Sequence, residues 1–429
     1  MNFDFTKASE ACVKCGKCVP SCTIHKINSD EVTSPRGFLE LVGAYQRGEL
    51  ELDKNTKDIF EKCFLCTTCV SICPTSLPTD LAIENIRFKI AEKFGIAWFK
   101  RVYFFLLRHR RVMDFSFSFL SVFLPVLFKI DRETESMKPR LSLPFVKKRV
   151  FPLLNKRSFL QKHKGDIKNG SDTKKIALFV GCFSNYHYTK TADSLLEILK
   201  VLKINVFIPP KQRCCGAPAF FTGDFKTVDR LIKQNVEYFE TFIDDVDAII
   251  VPEATCAAMI KEDWGRFMQE QPEWLARVTK ITSKVFMASE WLYAKTDLAK
   301  HLKALYVEKK SVTYHDPCHA RKVLKIFKEP RALLSENYEL IEMSDPNQCC
   351  GFGGVTIQSE KFELAKNAAK PKVEMIKQTG AKILSAECGA CRMQLSNALD
   401  KDNVKIVFSH PLELIAKAIR ENKKSQATK

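Results

Sequence analysis

The sequence predicts a multidomain protein: a small α-helical domain at the amino terminus, followed by duplicated α/β cysteine-rich domains with parallel sheets. Three observations carry this. Eight of the 17 cysteines fall in two short runs near the start. From Lys174 onward, three cysteine landmarks recur in matching order. Short β-branched runs alternate with helical stretches around those landmarks, which is the pattern of parallel α/β units. A chain of 429 residues is expected to form two to three domains and is long enough to bury real cores.

The first element spans residues 1–93. Its runs are Cys12-x2-Cys15-x2-Cys18-x3-Cys22 and Cys63-x2-Cys66-x2-Cys69-x3-Cys73-Pro74. This is the ligand spacing of a two-cluster bacterial ferredoxin. Three thiolates two residues apart can wrap one face of a cubane, and the fourth starts a helix and reaches the other cluster. The spacing assigns one [4Fe–4S] cluster to Cys12, Cys15, Cys18 and Cys73, and the other to Cys22, Cys63, Cys66 and Cys69. The rival readings, a zinc ribbon or a disulfide scaffold, match such a run of spacings poorly. Thr23 stands where the second run has Pro74, which loosens the first loop and removes no ligand. A helix carrying Leu39, Leu41, Val42 and Tyr45 on one side separates the runs, completing an α-helical ferredoxin-like domain.

Residues 94–170 hold no cysteine and form a basic, apolar connecting segment. Trp98-Phe99 and Tyr103–Leu107 are interrupted by Arg101, Arg108, Arg110 and Arg111, and an apolar stretch runs from Phe115 to Phe128. A membrane span needs ~20 apolar residues. This stretch is shorter, Pro125 lies inside it, and Asp114 beside it would cost ~3 kcal/mol in a bilayer. A span is rejected. Two basic amphipathic helices are expected, lying on a membrane surface or against a partner. Packing of their aromatics on the other domains is the equal alternative.

The repeats are assigned to residues 171–305 and 306–429. Cys182 pairs with Cys318, Cys214-Cys215-Gly216 with Cys349-Cys350-Gly351, and Cys256 with Cys391. Cys182 to Cys214 is 32 positions and Cys318 to Cys349 is 31, while Cys215 to Cys256 and Cys350 to Cys391 are both 41. Agreement at three points indicates duplication. Strands are expected at Ile176–Val180, Val206–Ile208 and Ala248–Val251, then at Val312–Tyr314, Glu339–Ile341 and Ile383–Leu384. Every repeat cysteine follows one of them, at the carboxyl edge where open α/β sheets form their ligand crevice. In the second repeat five thiols converge: Cys318, Cys349, Cys350, Cys388 and Cys391. In the first, Glu253 stands in the place of Cys388, leaving Cys182, Cys214, Cys215 and Cys256. A further iron–sulfur cluster is expected in one or both repeats, with structural zinc as the rival for the four-thiol set. His315 and His319 flank Cys318 as hydrogen-bond donors to cluster sulfur or as turn stabilisers. His109, His187 and His410 carry no motif.

The formal net charge is +18. Nucleic-acid binding is excluded as a reading, because no basic–aromatic RNA motif or zinc finger accompanies the charge. Part of the excess offsets anionic clusters, and the remainder suits an anionic membrane surface or an acidic partner. Met1 to Glu10 does not read as a signal peptide. The expected compartment is therefore the cytoplasm, peripheral on the inner face of the cell membrane, where thiol clusters mean metal rather than disulfides. No paired general acid and base, nucleophile triad or flavin- or NAD-binding fingerprint is present. Gly351-Phe-Gly353-Gly354 does not match G-x-G-x-x-G.

The Cys-Cys-Gly repeats, with Cys318 and Cys388-Gly-Ala-Cys391, resemble the cysteine-rich domain of heterodisulfide reductases. Joined to CVKCGKCVPSC, Ser34-Pro35-Arg36-Gly37 and CFLCTTCVSICP, the architecture is similar to the iron–sulfur subunit of glycolate oxidase and to the C subunit of anaerobic glycerol-3-phosphate dehydrogenase. The resemblance covers nearly the whole chain. It implies an oxidoreductase subunit, not catalytic alone, that carries electrons from an FAD-containing dehydrogenase subunit towards membrane quinone. Glycolate, lactate and glycerol 3-phosphate are all compatible substrates of that partner. By the same resemblance the five-cysteine site holds a non-cubane cluster, and an alternative is that the chain itself reduces a disulfide there.

Overall fold

Hydrophobic spacing and caps account for the amino-terminal helices. The computed structural model describes residues 5–141, 149–170 and 174–427. Pro35–Gln46 begins at Ser34, whose side chain accepts from the Gly37 amide, with proline at the first helical position where its missing N–H costs nothing. Lys54–Glu61 starts with a reciprocal capping box between Asp53 and Thr56. Phe38, Leu39 and Val42 on the first helix meet Phe60 on the second and Ile83 and Ile86 on Thr79–Phe94 in one buried core. The Phe38 and Phe60 rings lie 6.1 Å apart.

One local expectation is corrected. Cys73 does not start a helix: it ends the short helix Thr68–Ile72, and Pro74 follows in a turn before the helix at Thr79. A proline directly after Cys73 biases it to the extended conformation seen there.

The repeats have the expected α/β build, and their strand orders match. In the first, the sheet runs Gly165–Ile167, Asn205–Ile208, Lys175–Leu178, Ala248–Val251, Val285–Met287. In the second it runs Tyr338–Leu340, Lys310–Tyr314, Ile383–Ser385, Val407–Phe408. All pairs are parallel except that of Gly165–Ile167, an antiparallel edge strand added to the first sheet from the connecting segment. Ala177, Leu178, Ile249 and Ile250 are fully covered, as befits central strands buried on both faces.

The two sheets face each other across their carboxyl-edge loops. The Ala254 amide donates to the Glu387 carbonyl at 2.9 Å. Glu253 accepts from the Gly389 amide at 2.7 Å and from the Ser184 hydroxyl at 2.6 Å. Arg392, buried, bridges Glu413 and Glu135 at 2.8 and 3.3 Å, joining the second repeat to the connecting segment.

That segment forms the helices Trp98–Arg108 and Arg110–Leu127 and a three-stranded antiparallel sheet of Phe128–Asp131, Ser136–Pro139 and Phe151–Pro152. Phe104, Leu107, Met113 and Leu124 enter the core of the repeats. Asp114 also faces inward, accepting from the Tyr186 hydroxyl at 2.8 Å. The opposite face leaves Phe115, Phe119, Leu120, Val122, Phe123 and Val126 exposed. Among the described residues, no helix is long and apolar enough to cross a membrane.

Candidate metal centres

The two cysteine runs are wound alike. Lys14 and Gly16 in the first loop, and Leu65 and Thr67 in the second, adopt left-handed backbone at equivalent places. Alternation of this kind turns amides inward and makes a concavity that favours anions. The structure gathers Cys12, Cys15, Cys18 and Cys73 around one hollow, with Arg36 at its wall and Cys69, which also lines the second hollow, at its edge. Burial raises the Cys18 thiol, and the charges of Cys12, Cys15 and Cys73 raise it further. A second hollow is lined by Cys22, Cys63, Cys66 and Cys69. Burial pushes the Cys22 thiol up to about 11 and the Cys63 thiol up to about 12. The last cysteine of each run thus lies with the first three of the other.

In the first repeat the Cys215 and Cys256 sulfurs are 3.4 Å apart, and Cys182 and Cys214 are direct neighbours. Gly181 precedes Cys182 at φ +73°, and a Cβ there would come 2.9 Å from the Cys256 sulfur, so only glycine fits. In the second repeat Cys350 and Cys391 are 3.2 Å apart. Cys349 touches both Cys318 and Cys350, and Cys388 touches Cys391. Cys388 stands at the N-cap position of the helix Gly389–Lys401 and Cys391 lies in its first turn, where the adjoining Cys350 and Cys388 sulfurs, with burial, raise the Cys391 thiol. A cavity of about 170 Å³ opens between the repeats and is lined by thiols of both, together with Cys66, Phe221, His319 and Phe352.

Cys66 links the ferredoxin-like domain to the second repeat. Its thiol is held well below its usual value by the adjoining Cys349 sulfur, against burial and with help from Lys322. Phe64 packs in one apolar cluster with Cys318, Cys349 and Ile357. Lys322 donates to the Thr68 hydroxyl at 2.6 Å and lies 3.6 Å from the Cys318 sulfur. Burial pulls the Lys322 ammonium down, but the sulfurs of Cys318, Cys66 and Cys349 outweigh it and raise its pKa. Arg36 reaches the Lys14 carbonyl at 3.2 Å and pins the first cysteine loop. Arg87, buried, donates to the carbonyls of Phe60, Glu61, Cys63 and Phe221, pinning the second loop to the first repeat.

Sequence reasoning missed Lys322 and Arg87. The available signal was spacing: Lys322 lies four residues beyond Cys318, on the same helical face. Of the flanking histidines, His315 is fully buried beside the Cys350 sulfur, and among the described residues neither of its ring nitrogens makes a hydrogen bond. It lies with Cys350 and Cys391 in a group whose ligand atoms are all within 4.8 Å of one another. His319 stacks on Phe221, and its Nδ1 is 3.4 Å from the Thr255 hydroxyl. His187 and His410 are spent on backbone carbonyls, those of Leu153 and Pro252.

The donor set suits iron–sulfur clusters. Every cysteine is a free thiol, all 17 fall into the four groups, and soft sulfur donors select zinc, copper(I) or iron–sulfur. An orphaned buried imidazole beside the second-repeat thiols is the kind of group that a bound cluster would satisfy.

Comparison with known proteins agrees. Residues 8–77 match the family of 4Fe-4S dicluster domains. Residues 176–261 and 312–396 each match the cysteine-rich CCG domain. A probable glycolate oxidase iron-sulfur subunit of Bacillus subtilis is 27% identical over 420 residues, 95% of this chain and 93% of that one. A fumarate reductase (CoM/CoB) subunit of Methanothermobacter marburgensis is 27% identical over 430 residues, 98% of this chain and 74% of its own. Lactate utilization protein A of Shouchella clausii is 29% identical over 249 residues, 56% of this chain and 98% of its own. The chain belongs to the iron–sulfur proteins that join a 4Fe-4S dicluster domain to two cysteine-rich CCG domains.

Proposed function

We propose that this chain is the electron-transferring subunit of a membrane-associated, FAD-dependent 2-hydroxy-acid dehydrogenase, with glycolate or lactate oxidised by its partner and quinone as the destination. The observation that carries this reading is the succession of thiol groups in contact. Cys12, Cys15, Cys18 and Cys73 adjoin Cys22, Cys63, Cys66 and Cys69, and Cys66 in turn touches Cys349 of the five-thiol set. Bound there, iron–sulfur clusters supply one-electron exchange, with potentials set by burial and by hydrogen bonds to sulfur.

The chain's own residues hold the thiols, exclude water and place charges. Cys15 is exposed whereas the second-repeat thiols are buried, so the first ferredoxin group is the face offered to a donor. Cys318, Cys349, Cys350, Cys388 and Cys391 would hold a fourth centre. Cys182, Cys214, Cys215 and Cys256 would hold a third, cluster or zinc. Domain limits at residues 93, 170 and 305 belong to the same reading. So does attachment to the inner face of the membrane through the bare side of Arg110–Leu127, with Arg101, Arg111 and Lys129 exposed near it.

The test is co-expression with an FAD-dependent 2-hydroxy-acid dehydrogenase from the same genome. A stable complex that reduces a quinone analogue with glycolate or lactate, and stops doing so without this chain, is the expected result. Undiminished quinone reduction by the flavoprotein alone would contradict it. A second reading, disulfide reduction by the chain itself, is favoured by the cavity that both sets of repeat thiols line. Disulfide turnover by the isolated chain would select it.

A further inference from the structure

We infer that Lys322 is a positioning residue that sets reduction potential: its buried ammonium serves two centres at once, the one held by Cys22, Cys63, Cys66 and Cys69 and the one in the second repeat. The inference rests on the proposal that these thiols hold clusters. Its side chain lies one turn beyond Cys318 and is almost wholly buried. The contacts form a line across the domain boundary. The Cys66 sulfur lies 3.3 Å from the Thr68 hydroxyl, which accepts from the Lys322 ammonium at 2.6 Å, which in turn lies 3.6 Å from the Cys318 sulfur.

A buried ammonium without a counter-charge is strongly disfavoured. Among the described residues no carboxylate forms an ion pair with Lys322, although the neighbouring cations Arg321 and Arg331 both pair with Asp316. The counter-charge of Lys322 is therefore sulfur, from both domains. A fixed positive charge favours the more negative, reduced state of whatever those sulfurs bind.

The first repeat has no lysine in this place, and a cation beside its thiols, Arg110 of the connecting segment, is itself paired with Asp114 at 3.8 Å. Counting from Cys182, the place of Lys322 is taken by Tyr186, whose hydroxyl turns away to Asp114 at 2.8 Å. The place of His315 is taken by Phe179, buried in the apolar core. The duplicated domains are thus electrostatically unequal, and the second, adjoining Cys66, is the one held at higher potential.

The experiment is an EPR-monitored redox titration of the full-length, anaerobically prepared protein and of Lys322→Met, Lys322→Gln, Lys322→Arg and Thr68→Val. At fixed potential, the methionine and glutamine variants are expected to lower the reduced-to-oxidised ratio at least tenfold in the two flanking centres, a shift of ~59 mV for one electron. The centre of Cys12, Cys15, Cys18 and Cys73 stays unchanged, and arginine restores most of the loss. Thr68→Val, which keeps the charge but frees its aim, shifts the Cys66 centre alone. Unchanged midpoints in the neutral variants would overturn the inference, as would an equal shift in all centres or an arginine variant no better than methionine. Loss of iron in Lys322→Met leaves the glutamine and threonine variants to decide. Absence of any iron–sulfur signal in the wild type would instead defeat the underlying proposal.

Discussion

Replacing Arg87 by methionine should loosen the second cysteine loop and the seat of the ferredoxin-like domain on the first repeat. The guanidinium is buried and donates to four backbone carbonyls. The shortest bonds run to Cys63 at 2.7 Å and to Phe221 at 2.9 Å. A hydrogen bond from a charged donor contributes ~1.5–3 kcal/mol. These two bonds alone therefore amount to ~3–6 kcal/mol, against a typical whole-protein margin of ~5–15 kcal/mol. Methionine keeps the apolar stem and leaves the carbonyls without donors. Lysine keeps the charge but cannot reach carbonyls on both sides as a planar fork does, so it should recover about half of the loss. The assay is urea titration under anaerobic conditions, following the visible iron–sulfur absorbance and the fluorescence in parallel. The iron–sulfur signal should fail first in Arg87→Met, at clearly lower urea than in wild type. A methionine variant within ~0.5 kcal/mol of wild type, with full iron content, would refute the reasoning, since that is the range of neutral surface changes.

Three other outcomes follow from the geometry. Burial pushes the Asp263 carboxyl up to about 7, with Asp80 and Glu262 adding and Arg266 opposing, and burial beside Asp263 and Asp80 raises Glu84. The native state then holds more protons than the unfolded state between pH ~4 and ~7, so this cluster's contribution falls as pH rises through that window. Asp263→Asn should flatten the pH dependence of the urea midpoint, and an unchanged slope would contradict this. Gly351 has φ +87° and its absent Cβ would lie 2.9 Å from the Ala365 carbonyl oxygen; Gly351→Ala should cost ~2 kcal/mol or more and lower iron content, measured by melting and metal analysis. Phe119→Asp with Phe123→Asp should abolish sedimentation with anionic vesicles while leaving iron content intact, and wild-type binding should weaken with salt.

Much of this architecture was legible because metal ligation and duplication leave rigid spacing in the sequence. The cysteine runs fix which thiols can share a loop, and the repeat offsets fix which strand each landmark follows. Strands such as Ala248–Val251 are buried on both faces and declare themselves as continuous β-branched runs. The edge strand Gly165–Ile167 does not, since its identity comes from pairing with Asn205–Ile208 rather than from its own residues. Contacts between domains were equally silent. Thr68 and Lys322 are 254 positions apart, and the spacing of Lys322 from Cys318 marks its helical face but not its burial against the other domain. The position of Cys73 at a helix end reflects Pro74, whose restriction on its predecessor outweighed the expected helix start.

The central claim is that these thiols hold iron and sulfide in linked centres, and metal analysis of anaerobically purified protein tests it most directly. Two [4Fe–4S] clusters alone require about eight iron atoms per chain with matching acid-labile sulfide, and a centre in the second repeat raises the iron beyond that. Iron above about eight, falling on Cys66→Ser substitution, is the predicted result. Stoichiometric zinc in place of iron, or iron without labile sulfide, would contradict the account.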